Sequence, residues 1–102
     1  MMSLSGHSIL IVESEVASFV VALQAAIERT GAESLVVRDP STSEGLERIR
    51  RFKFSAAVIN ILHRSLIDDL DIPVLVYGGS AIPARPDMIV AKLRRLLEHF
   101  LI

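Results

Sequence analysis

Residues 55–62 read SAAVINIL. Ala56 to Ile59 form a short unbroken apolar run, the composition of a strand covered on both faces. Asn60 then interrupts it with a neutral amide. In an open α/β sheet, the carboxyl ends of the strands are where ligands bind. A single amide at that place raises two questions: what lies beside it, and what chemistry it serves.

Three more runs of this kind flank the first. Ser8 to Val12 (SILIV) is apolar and β-branched, Ser34 to Val37 (SLVV) is shorter, and Ile72 to Tyr77 (IPVLVY) carries Pro73 near its start. Helical periodicity fills the gaps. Val16, Phe19, Val20, Leu23 and Ile27 recur at spacings of three and four, and Gly31 closes that helix. Pro40 precedes Ser41-Thr42-Ser43-Glu44, whose capping-box spacing opens a helix carrying Leu46 and Ile49. Leu62, Leu66 and Leu70 share one face of a further helix. Asp68, Asp69 and Asp71 oppose its dipole, so it should be short or frayed. Gly78-Gly79-Ser80 breaks the last strand, and Pro86-Asp87 opens a final helix with Ile89, Leu93, Leu96 and Phe100 in line. Strands alternating with helices predict βαβ units, a parallel sheet and right-handed crossovers. The ends of the first and third strands then lie side by side, which brings Glu13 and Ser14 close to Asn60.

Composition narrows the setting. The chain has 102 residues, 51% of them apolar and 23% charged, with a net charge of −1. That is one domain, 1–102, able to bury a core. The charge balance gives no reason to expect nucleic acid or a membrane surface as partner. Absence of cysteine excludes disulfides and thiolate metal sites and fits the cytoplasm. The opening MMSLSGHS lacks a signal-peptide pattern, and no apolar stretch approaches the roughly 20 residues that span a bilayer. His7, His63 and His99 show no ligand spacing, so no metal is expected.

Taken in order, these segments resemble the receiver domains of response regulators. ILIVESE at residues 9–15 is similar to the family's first strand and its terminal acids. AAVIN at 56–60 is similar to the third strand, whose last residue is the phosphate-accepting aspartate. IPVLVYGG at 72–79 resembles the fourth strand, which a Thr or Ser switch residue follows, and Arg85-Pro86 resembles the family's Lys-Pro. The resemblance implies a flavodoxin-like (CheY-like) doubly wound sheet of four or five strands, order 2-1-3-4(-5). Seventeen residues (61–77) separate Asn60 from Gly78, and six (79–84) separate Gly78 from Arg85. A shortened third helix and a missing fourth helix follow, with any fifth strand confined to Ala81–Ala84.

The resemblance also assigns seats. Asn60 takes that of the phosphoacceptor, Glu13 and Ser14 those of the acidic pocket, Gly78 that of the switch hydroxyl and Arg85 that of the lysine. An amide has no anionic oxygen to attack phosphorus. One remaining carboxylate holds Mg²⁺ poorly, so no cofactor is expected. Gly78 has no hydroxyl to follow a phosphoryl group, and Arg85 is expected to pair with Glu13. A plainer account stays open: Asn60 bonds the backbone of a turn and Ser14 caps the first helix.

These features imply a pseudo-receiver in a two-component system that acts by protein contact rather than as an enzyme. On the last helix a second stripe (Val90, Leu97, Leu101) runs roughly 100° from the first, an apolar arc wider than one sheet face needs. With the neighbouring helix missing, Ile89, Val90, Leu93, Leu97, Phe100 and Leu101 are expected to form a homodimer interface. Two alternatives remain: a receiver phosphorylated on another acceptor such as His63 or Ser14, and a small ligand-binding domain using a Glu13, Asn60, Arg85 pocket.

Overall fold

The computed structural model describes residues 4–14, 17–78 and 82–100, the side chains of 67, 69, 99 and 100 excepted. The chain runs β1 (Ser8–Val12), α1 (Ala17–Glu28), β2 (Glu33–Val37), α2 (Ser43–Arg51), β3 (Ala56–Asn60), a 3-10 segment (Ile61–Asp69), β4 (Val74–Tyr77) and α3 (Pro86–Phe100). The four strands make one parallel sheet in the order β2-β1-β3-β4. With helices on both faces this is a flavodoxin-like α/β fold. Among the described residues there is no fifth strand and no helix between β4 and α3. None of their helices is long and apolar enough to cross a membrane.

The period-two pleat sorts the strand residues into two cores. Ile9, Ile11, Ala56, Val58, Leu75 and Tyr77 pack with Leu23 and Ile27 of α1 and with Ile89, Leu93 and Leu97 of α3. Leu10, Val12, Ala57 and Ile59 pack on the other side with Ile49 of α2 and Leu66. Every residue from Ile9 to Val12 is fully buried. That two-sided burial explains why β1 has no polar alternation.

Local chemistry sets the helix ends. Thr42, not Ser41, caps α2: its hydroxyl accepts from the Gly45 N–H at 3.0 Å, while Ser41 bonds Asp39. The capping-box spacing therefore placed the cap one residue early. Gly31 closes α1 with φ +98°, as a left-handed C-terminal glycine does. In α3 Pro86 takes the first helical position, where its missing N–H costs nothing. The stretch after β3 winds as 3-10 and leaves helical geometry at His63. A three-residue repeat does not hold positions four apart on one face. Leu66 is accordingly buried while Leu62 is 62% exposed.

The expected interface on α3 needs correction. Ile89 and Leu93 are fully buried and Leu97 is 2% exposed, all within the core beneath the sheet. Val90 and Leu96 pack against the same core, and α1 lies alongside α3. The helix has a wide apolar arc because it meets two partners of its own chain, the sheet and α1. The Phe100 side chain, Leu101 and Val16 lie outside the described residues.

Candidate functional site

Register brings the site together. Val12 lies beside Ile59, so Glu13 is level with Asn60, and Asn60 lies beside Tyr77. Parity then aims the side chains. Glu13 continues the face of Ile9 and Ile11, Asn60 that of Ala56 and Val58, and Tyr77 that of Leu75. Three polar groups thus converge at the carboxyl end of the sheet, above the core that α1 and α3 cover.

Glu13 is the hub and is 2% exposed. Its Oε1 accepts from Asn60 Nδ2 at 2.9 Å and from the Tyr77 hydroxyl at 2.6 Å. On its other side the Asn60 amide accepts from the Leu62 N–H at 2.9 Å, a local turn that starts the 3-10 segment. The turn-forming role and the hub-facing role of Asn60 therefore hold together. Tyr77 is fully buried, with its ring 5.3 Å from that of Phe19. Burial and then the bond to Glu13 push its hydroxyl far above the ordinary phenol range.

Sequence reasoning missed Tyr77. The signal was the strand's own alternation, which puts the chain's single tyrosine one step from Asn60 on the neighbouring strand. The predicted partner of Glu13 was Arg85, and here the structure differs. The Arg85 guanidinium meets Asp87 Oδ2 at 3.1 Å, with the two side chains 64% and 69% exposed. Arg85 immediately precedes α3, and its backbone carbonyl accepts the Ile89 N–H of the first turn. The cation thus stays at the head of α3, and Asn60 and Tyr77 donate to Glu13 from the sheet itself. An ion pair this exposed adds little stability.

Gly78 does sit beside Asn60. A Cβ there would approach the Asn60 amide to 3.9 Å, and φ of +95° marks a left-handed turn suited to glycine. No hydroxyl faces the site from this position. Ser14 points elsewhere: its Oγ and His63 Nε2 are 2.9 Å apart, and its carbonyl accepts from Arg38 at 3.2 Å. Asp39, at the end of β2, belongs to the same rim. The Ser41 hydroxyl and then the Ser41 N–H hold its carboxyl below the usual range, with a smaller contribution from His63.

These residues do not make a cation site. Glu13 Oε1 is taken by two donors, and Asn60 turns its NH₂ rather than its oxygen toward the hub. Among the described residues no group of three or more His, Cys, Asp or Glu is placed to hold a metal. The arrangement fits Mg²⁺ poorly, since that ion needs oxygen acceptors in octahedral array. No protein-family model matches the chain, and no curated protein matches it in sequence.

Proposed function

We propose that this domain is a degenerate receiver of a two-component signalling protein, cytoplasmic, working through protein contacts and without aspartyl phosphorylation. One observation carries the reading. At the end of β3, where a receiver carries its nucleophile, Asn60 is a structural link whose NH₂ serves Glu13 and whose oxygen serves Leu62. A group committed in this way has no anionic oxygen to offer phosphorus. The strand order and the short connection after β4 accord with a receiver that has lost its fourth helix.

The Ser14–His63 contact supports a second reading. A hydroxyl 2.9 Å from an imidazole is the arrangement of an activated nucleophile, so a phosphoryl group could be accepted outside position 60. One experiment separates the two. The protein is incubated with acetyl phosphate and Mg²⁺, and its intact mass is followed over time. Our reading expects no stoichiometric adduct. An adduct abolished by Ser14→Ala or by His63→Ala would establish the second reading and overturn the first.

A further inference from the structure

The backbone of β4 has one side in use. Ala57 pairs with Val74, and the Ala57 N–H donates to the Pro73 carbonyl at 3.0 Å. In a parallel ladder each residue turns both its N–H and its C=O to the same neighbour, alternating along the strand. Pro73, Leu75 and Tyr77 therefore address β3, and Val74, Val76 and Gly78 face away. The Gly78 N–H agrees with this phase, since it bonds the Ile82 carbonyl at 2.8 Å. Val74 and Val76 are left with outward N–H and C=O groups on an edge strand. Among the described residues no strand lies beside them.

Natural edges are commonly guarded by a charge, a proline or a bulge. Between Pro73 and Gly78 this edge carries only VLVY. What stands beside it is a pair of opposite charges. Arg64 and Asp68, both exposed, line a shallow depression with Ile61, Ser65 and Val76. Arg64 and Asp68 are four residues apart on the segment that returns from the end of β3 toward the start of β4, and opposite charges so ordered match a copy of themselves when that copy is reversed.

We propose that the outer edge of β4 is a homodimer interface, in which two copies pair antiparallel through Val74 and Val76. A two-fold axis perpendicular to the sheet, midway between the Leu75 residues of the two copies, sets Val74 of each copy opposite Val76 of the other. Four N–H···O bonds result, two from each opposed pair, and the two four-stranded sheets become one of eight. The same axis keeps the 3-10 segments on one face and reverses their direction. Arg64 of each copy is thereby carried toward Asp68 of the other. The occupant is a second copy of this chain because the charge pair is self-complementary in this orientation. The inference does not depend on the receiver reading.

Light scattering coupled to size exclusion, over about 1 µM to 1 mM protein, tests it. A concentration-dependent dimer is expected. Val76→Pro removes an outward N–H while leaving the ladder to β3 intact, a placement that edge strands tolerate. Two of the four intersubunit bonds are lost, and the dimer should weaken tenfold or more, by roughly the worth of two hydrogen bonds. Circular dichroism shows whether this variant stays folded. Independently of it, Arg64→Glu should weaken the dimer a few-fold, and adding Asp68→Arg to that variant should restore it. A monomer at every concentration would overturn the proposal. So would a dimer untouched by Arg64→Glu, or one that the double variant fails to rescue.

Discussion

Asn60→Asp would return to β3 the residue type that receivers phosphorylate, and the structure predicts a large penalty. Asn60 Nδ2 lies 2.9 Å from Glu13 Oε1, so aspartate puts an oxygen where a donor now sits. If the introduced carboxyl is ionised, a charge-assisted hydrogen bond worth about 1.5–3 kcal/mol disappears. Repulsion adds about 5 kcal/mol for carboxylates about 3.5 Å apart at an effective dielectric of about 20. Proton uptake is the cheaper route. Protonating the new side chain at pH 7 costs about 1.36 × (7 − 3.9), or about 4 kcal/mol, and the resulting O–H can donate to Glu13 as the amide did. The variant should therefore lose about 4 kcal/mol at pH 7, a large share of the roughly 5–15 kcal/mol that holds a domain folded. The sign of the pH dependence follows. The folded pKa of the introduced aspartate lies above its unfolded value of about 3.9, so the folded state binds more protons between the two. The penalty is nearly absent below about pH 4 and grows by about 1.4 kcal/mol per unit as pH rises, until the folded pKa is passed. Urea unfolding of both proteins at pH 4 and pH 7 measures it. A difference equal at the two pH values, or below about 1 kcal/mol at pH 7, would refute the account of the Glu13 hub.

Three further outcomes are expected. Tyr77→Phe removes a buried donor from Glu13 and should cost about 1.5–3 kcal/mol in urea unfolding at pH 7. Because the folded Tyr77 hydroxyl titrates above its usual 10.0, its contribution is complete below about pH 10 and falls as pH rises further, so the variant should lose less stability from pH 9 to pH 11 than the parent. Gly45→Ala should destabilise α2 in thermal melts although alanine is the better helix former, since a Cβ there runs into the Asp39 carbonyl. Leu93→Ala should cost about 2–5 kcal/mol of stability, as a core truncation does, and leave the dimer constant per folded molecule unchanged. A Leu93 variant of full stability and altered association would restore the α3 interface.

The strand pattern was legible because burial on both faces leaves an unmistakable apolar run: SILIV and AAVI are strands in the structure at the places their composition predicts. Parallel direction followed from the intervening helices, and with it the meeting of Glu13 and Asn60, while the strand order β2-β1-β3-β4 is the one the resemblance implied. What failed was whatever depends on distance rather than pattern. Arg85 has the right charge for Glu13, yet it lies at the head of α3 beside a nearer carboxylate. Leu66 and Leu70 do meet one core, but Leu62 does not share it, because the backbone winds as 3-10 and leaves helical geometry at His63. The two stripes of α3 were legible as apolar, but the identity of the surface covering the second, α1, was not.

The site explains why an amide suits position 60. Glu13 is buried with nine-tenths and more of its surface covered, and a carboxylate in such a place needs donors. The parallel register offers two positions on the same face from which to supply them, the ends of β3 and β4. Asn60 and Tyr77 occupy both, and each brings a donor to the same oxygen. A receiver's aspartate at the end of β3 would bring an acceptor there and leave Glu13 in need of a cation. Glu13, Asn60 and Tyr77 therefore form one unit: the phenol and the amide do for the buried carboxylate what a metal ion would otherwise have to do. At this sheet edge two neutral donors, from β3 and β4, converge on one oxygen of Glu13.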